Sequence, residues 1–231
     1  MAKHPTSRRV HHEKHDDDAF VATVAESTVW ARQNQRILTI VSVVLVVGGL
    51  AFLYYRNWHA KHLNQAAGEL TAVRQSVLSG NHQLAMRDLK QYIAKFGDTP
   101  SGDEARLMLA QVQMEEGQGP AAVETVKPLA GNPAKSQGAT AALLLGSAYE
   151  SAKQIDKAEE TYASVGAKAR FGFERREGYD RAAIIALQRG NAAKAAEYYK
   201  KALETLPEDS EERPVYQMRI AEVTAQVRKA S

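Results

Sequence analysis

The first side chains to test for chemistry are the histidines. His4, His11, His12 and His15 crowd the start of the chain, and His11 and His15 would share one face of a helix. Imidazoles so placed could hold a divalent metal. The run His11-His-Glu-Lys-His15, however, lacks the His-Glu-x-x-His spacing of a zinc protease, so a polar tail with incidental histidines accounts for them. Only His59, His62 and His82 follow. The chain has no cysteine, hence no thiolate nucleophile, disulfide or lipid-bearing cysteine. It has no Gly-rich phosphate loop and no Gly-x-Ser-x-Gly elbow. Carboxylates come singly or as neighbours such as Glu159 and Glu160, mixed with Lys and Arg, which is the pattern of solvated surface. The 30 basic and 27 acidic residues are interspersed, without the clustered Lys/Arg and aromatics of a nucleic-acid binder. The expectation is therefore no catalytic residue, no cofactor, no metal, no small-molecule substrate and no enzyme.

Recognition is what is left. The side chains expected to line a groove for a protein partner are Leu107, Met108, Met114, Leu143, Leu144, Ser147, Arg181, Ile184 and Leu187. Some of these must pack instead, and the sequence leaves the two sets open. Grooves that clamp acidic tails carry Lys and Asn. The corresponding positions here hold Leu107 and Gln111, Leu143 and Ser147, Asp180 and Ile184, which suits helical or unfolded segments with apolar content. The stretch Arg170-Phe-Gly-Phe-Glu-Arg-Arg176 is rich in Arg, a residue type enriched at binding hot spots, though Phe171 and Phe173 are equally suited to packing under the loop.

Something must position that groove, and one segment governs where it sits. Ile37 to Tyr55 holds 19 residues and no charge. As a helix it would reach about 28 Å, close to the ~30 Å hydrocarbon core of a bilayer. Arg36 and Arg56 bracket it, and Trp30, Tyr54, Tyr55 and Trp58 stand where an interfacial aromatic belt would be. Gly49-Leu50-Ala51 loosely resembles a signal-peptide cleavage site, but the apolar run continues through Tyr55 and the region before it is long, so the expectation is a retained transmembrane helix. The domains expected are a disordered polar tail over 1–17, an amphipathic juxtamembrane helix over 18–36, the span over 37–55, and a helical domain over 56–231. The stripe Leu63, Ala66, Ala67, Leu70, Val73 and Val77 continues the span as one unbroken helix.

The helical domain repeats. Ala85, Ala122, Ala158 and Ala195 each follow a short break, at spacings of 37, 36 and 37, and each is followed four residues later by Leu89, Val126, Tyr162 or Tyr199. The fourth copy adds Tyr179, Ala183, Gly190, Ala202 and Pro207. The third has Leu145-Gly146 and Tyr149. The second has Leu109, Ala110 and Gly117, with Gln113 where an aromatic is usual. The first has Gly80 and closes with Tyr92 to Phe96 before Pro100. This resembles the tetratricopeptide repeat (TPR), a pair of antiparallel helices of about 34 residues. The fold class expected is all-α: one N-terminal transmembrane helix and a TPR-like solenoid. The surplus residues are expected in loops, notably around Val165–Gly178. A capping helix is expected over about 213–229, with Tyr216, Ile220, Val223 and Val227 on one stripe.

The layout of tail, single span, continuing helix and degenerate repeats, from about Asp17 onward, is similar to the bacterial ancillary SecYEG translocon subunit family, whose repeat domain is shared with the cell division coordinator. The resemblance implies a single-pass protein of the bacterial inner membrane, with its repeats in the periplasm. There it would dock on the SecYEG translocon and hand emerging chains to periplasmic chaperones. The positive-inside rule gives a weak vote for a cytoplasmic N-terminus: within twenty residues of the span Arg32 and Arg36 face Arg56, Lys61 and Arg74, but over the whole short tail six basic residues precede it. The alternative is an envelope or cell-division scaffold that binds one folded partner.

Overall fold

The computed structural model describes residues 34–135 and 137–230. The tail expected over 1–17, and all but the last three residues of the 18–36 helix, lie outside the described residues. The described chain falls into two compact units, one ending at Lys61 and the other beginning at His62. The boundary lies inside a single helix, α1 (Gln35–Leu78), of 44 residues. It is long and apolar enough to cross a membrane. Its large apolar side chains before Lys61 are exposed, Leu45 at 70% and Phe52 at 62%. The Thr39 hydroxyl donates to the Gln35 carbonyl at 2.8 Å, so it adds no unpaired polar group to that surface. No break separates Ala51 from Leu78, in line with the unbroken helix expected from the sequence. In the second unit α1 buries Ala66 and Leu70, while Ala67, expected on the same stripe, is exposed.

Eight further helices follow among the described residues. They are α2 (His82–Phe96), α3 (Pro100–Glu115), α4 (Gly119–Val126), α5 (Gly138–Ser151), α6 (Ile155–Lys168), α7 (Gly172–Gln188), α8 (Ala192–Glu204) and α9 (Arg213–Ala230). The end of α1 and α2 form the first hairpin. Then α3 pairs with α4, α5 with α6 and α7 with α8, and α9 lies against α8. Ala85, Ala122, Ala158 and Ala195 are all fully buried, as are Leu89, Val126 and Tyr162. An alanine lets the paired backbones approach, and the larger residue one turn on fills the space beside it. Each such large side chain contributes about 1.5–3 kcal/mol.

The hairpin turns share one backbone solution. Gly80, Gly117, Lys153 and Gly190 have φ of 74°, 71°, 61° and 73°. In the last three turns two N–H groups fold back onto the preceding helix, as in Gln118 to Gln113 (2.7 Å), Gln154 to Tyr149 (2.8 Å) and Asn191 to Ala186 (2.8 Å). The first helical bond after each turn is donated by the repeat's buried alanine, for example Ala85 to Asn81 at 2.9 Å. Asn81 and Asn191 also cap their helices through the side chain.

The surplus residues are not where the sequence suggested. The Val165–Gly178 stretch is almost all helix, with only 169–171 between α6 and α7. Its glycines serve close packing instead: a Cβ on Gly166 would meet the Tyr179 ring at 2.5 Å, and one on Gly178 would meet the Gly166 nitrogen at 2.5 Å. The long connection is 127–137, because α4 ends after eight residues at Val126, just before Pro128. In α9, Tyr216 and Val223 are buried, and the Arg213 guanidinium donates to the Leu206 carbonyl just beyond α8, at 3.1 Å.

Candidate functional site

The first helices of the second and third hairpins present the same stripe. Glu104, Leu107, Met108 and Gln111 on α3, and Thr140, Leu143, Leu144 and Ser147 on α5, follow the i, i+3, i+4, i+7 pattern of one helix face. α3 contacts α5 and α5 contacts α7, and equivalent positions recur 36 or 37 residues on, so these residues line the cleft as rows. An outer polar row runs Glu104, Thr140, Glu177. Two apolar rows, Leu107 to Leu143 and Met108 to Leu144, lie inside it, and Gln111 and Ser147 form the other polar edge. Together with Arg181 of α7 they line a cleft of about 360 Å³.

Its charges are paired among themselves. Arg74 binds Glu104 at 2.5 Å, and the Arg181 guanidinium donates to Glu177 through Nε and Nη2 at 3.1 and 2.9 Å. Burial opposes the charge of Arg181, but Glu177, then the Tyr162 hydroxyl, more than offset it and hold its pKa above the ordinary value. Beneath the cleft, the Tyr162 hydroxyl donates to Glu150 at 2.6 Å and lies 2.9 Å from the Ser147 hydroxyl. Burial, then the Glu150 carboxylate, push this phenol up to about 12, so it stays protonated. The cleft thus has an apolar floor, neutralised ends and two polar margins. Among the described residues no group of three His, Asp or Glu is placed to hold a metal.

Six of the nine expected residues line this cleft: Leu107, Met108, Leu143, Leu144, Ser147 and Arg181. Met114, Ile184 and Leu187 do not line it: Met114 and Leu187 pack against the core, as Leu107, Met108, Leu143 and Leu144 also partly do, and Ile184 is 47% exposed. Asp180, assigned to the groove by register, turns to the cap, where it accepts from Tyr216 and Arg219. Burial raises its pKa, only partly offset by Tyr216 and Arg219. Glu104, Thr140 and Glu177 escaped the sequence reading, although they stand one turn before residues that it named.

Glu159 corrects another expectation. It is not solvated surface but 3% exposed. It binds Lys194 at 2.5 Å and Arg189 at 3.0 Å and accepts from the Tyr198 hydroxyl at 3.2 Å, tying α6 to the turn and second helix of the next hairpin. Phe171 and Phe173 do not pack under the loop: they are 49% and 60% exposed, stacked on each other at 5.7 Å. A further cleft of about 390 Å³ between α1 and α2 is lined by Glu69, Val73, Asp88, Tyr92 and Lys95 among others. Lys95 pairs with Glu69, and Asp88 takes the Ser76 hydroxyl. It lies outside the row register that organises the α3–α5–α7 cleft.

Stacked helical hairpins, each burying the apolar face of its neighbour and closed by one extra helix, define a helical-repeat solenoid. Within that class the chain belongs to the tetratricopeptide repeat-like domain family, whose model matches residues 28–225. Solved structures agree on the fold. TPR-like repeats of a kinesin light chain from Podosopora anserina share 19% identity over 71% of this chain and 88% of that one, with a TM-score of 0.55. A tetratricopeptide repeat protein from Parabacteroides merdae shares 20% over 70% and 61%, at 0.54. The pilF protein of Pseudomonas aeruginosa shares 18% over 73% and 72%, at 0.54. No match is found among curated proteins.

Proposed function

We propose that the chain is a single-pass membrane protein whose repeat domain docks a protein partner in the α3–α5–α7 cleft, without catalysis. The observation that carries this is the register of the cleft: apolar rows two repeats long, between polar margins, on the first helices of successive hairpins. The exposed apolar surface of α1 before Lys61 supports membrane anchorage.

The finer reading is a bacterial inner-membrane protein with a cytoplasmic N-terminus and periplasmic repeats, serving as an ancillary component of the SecYEG translocon and its periplasmic chaperones. It rests on the layout of span and repeats and on the six basic residues before the span. A photo-crosslinking amino acid at Leu144, in the full-length chain expressed in a bacterium, tests it. Adducts with channel subunits and secreted chains are expected. One stoichiometric folded partner would instead establish the envelope or division scaffold. Adducts that form from Gln188 at the far end of α7 but not from Leu144 would remove the cleft as the docking site. A topology reporter fused after Ser231 that is active only in the cytoplasm would overturn the orientation.

A further inference from the structure

The α6–α7 elbow carries a feature that its own folding does not need. Residues 169–171 connect the two helices in three residues, and 97–99 do the same between α2 and α3 with Gly, Asp and Thr. The turn therefore requires no aromatic, yet Phe171 and Phe173 project from this elbow, stacked and half exposed. From His62 onward they are the only aromatic residues among the large exposed apolar side chains of the described structure. Elsewhere the tyrosines and Phe96 are drawn into the core or against it.

The polar groups around them are cationic. Lys168 and Arg170 are exposed, and Arg170 lies over the Phe171 ring at 5.3 Å. Arg175 has a buried Nε with no hydrogen-bond partner. Of the carboxylates nearby, Glu174 accepts from the Phe171 backbone N–H, Glu212 binds Arg176 at 3.1 Å, Glu177 takes Arg181, and Glu204 lines a pocket with Arg175. Two phenyl rings beside cations match the phospholipid headgroup zone, where rings enter the acyl boundary and Lys or Arg reach phosphate. A helix able to cross a bilayer, on the same chain, keeps the domain at high effective lipid concentration, so even a weak contact is populated.

We propose that Phe171 and Phe173 form a membrane-contacting finger that inserts among phospholipid headgroups, with Lys168 and Arg170 on the phosphates. This rests on the membrane anchorage proposed above. The α8–α9 connection nearby contributes Glu208, Asp209 and Glu211, so anionic lipid strengthens the contact only modestly and the rings carry most of it.

The chain has no cysteine, so a spin label at Phe173→Cys is unique. The labelled full-length protein is placed in nanodiscs of phosphatidylcholine, and of phosphatidylcholine with an equal part of phosphatidylglycerol. Co-elution with the discs reads the anchor; the label reads the finger. The expected result is a ratio of oxygen to nickel-chelate accessibility severalfold higher at 173 than at a control label on Gln188→Cys, in both lipids. Charge reversal by Lys168→Glu with Arg170→Glu lowers that ratio in part, leaving it above the control because the rings remain. Equal ratios at 173 and 188 in discs that retain the protein would overturn the proposal while leaving the anchor intact. So would a label shielded only after a soluble extract is added, which assigns the rings to a protein. A ratio unmoved by charge reversal would remove the phosphate contact. Circular dichroism of each variant checks that the helices are retained.

Discussion

Single positions in this repeat domain differ in what surrounds them, and the glycines show it best. Gly68 sits inside α1 with nothing within 4 Å of where a Cβ would stand, so Gly68→Ala is expected to stabilise by about 1 kcal/mol through helix propensity alone. Gly80 is equally open but has φ of 74°, so Gly80→Ala is expected to cost about 1 kcal/mol. At Gly146 a Cβ would collide with the Tyr162 ring, which is fully buried and held through its hydroxyl by Glu150 and Ser147. Overpacking outweighs propensity there, and Gly146→Ala is expected to lose about 2 kcal/mol. Urea midpoints of the three variants in detergent test the order Gly68, Gly80, Gly146. Glu159 gives a pH-dependent case. Burial pushes its carboxyl up, but Lys194, Arg189 and the Tyr198 hydroxyl together hold it below the ordinary value of 4.5. A depressed carboxylate contributes stability above its unfolded pKa and loses it as pH falls through the folded one. Glu159→Gln should therefore cost about 2 kcal/mol near neutrality, less than a fully buried pair because both cations are half exposed. The gap to the parent protein should close as pH drops below 4.5; a gap that is unchanged in acid would show that Glu159 acts by packing.

At the level of helices and turns, the third hairpin departs from its neighbours. Lys153 adopts φ of 61° where the other three turns have glycine. Lys153→Gly relieves roughly 1–2 kcal/mol of left-handed strain and gives back roughly 0.5–1 kcal/mol of unfolded-state entropy, so a net gain of about 0.5 kcal/mol is expected. A lower thermal midpoint for that variant would mean that Lys153 has contacts worth more than its strain. The same turns show what the sequence made legible. Four alanines at even spacing announced the hairpins because close helix crossings tolerate little else, and all four are fully buried. Gly166 and Gly178 misled because a glycine reads alike whether it breaks a helix or lets another chain segment approach it, and here they do the second. The break lay at Pro128, Gly131 and Pro133, which end α4 early. Cleft residues were legible as far as register reached. Leu107, Met108, Leu143 and Leu144, named from the sequence, line the cleft, whereas Met114 and Leu187, elsewhere on α3 and α7, do not. Glu159 was invisible because its partners, Arg189 and Lys194, lie 30 and 35 positions away.

Across the repeat domain, the core is not one continuous body. Ala66, Leu70, Leu89, Tyr92, Phe96, Ala105, Leu109 and Val112 form a cluster in α1 to α3, while a larger cluster runs from Ala110 and Ala122 to Tyr216 and Val223. A solenoid in which each hairpin touches only its neighbours should lose stability locally when one end is damaged. The cap is that end. Tyr216 and Val223 cover Tyr199 and Ala202, and Tyr216 donates to Asp180. Burial, and then that carboxylate, raise the Tyr216 phenol well above its usual value, so the donor is retained at all physiological pH. Ending the chain before Arg213 removes two buried side chains worth about 4 kcal/mol together and leaves Asp180 half buried without its donors. Hydrogen exchange on the truncated protein should show lost protection in α7 and α8, weaker loss in α5 and α6, and unchanged protection in α2. The division between the clusters predicts this gradient, since little apolar contact passes from the second to the first except at α3. Equal loss in α2 and α8 would mean that the two clusters unfold as one cooperative unit. Protection unchanged everywhere would mean that α8 supplies its own cap, with Thr205 and Leu206 closing the last turn.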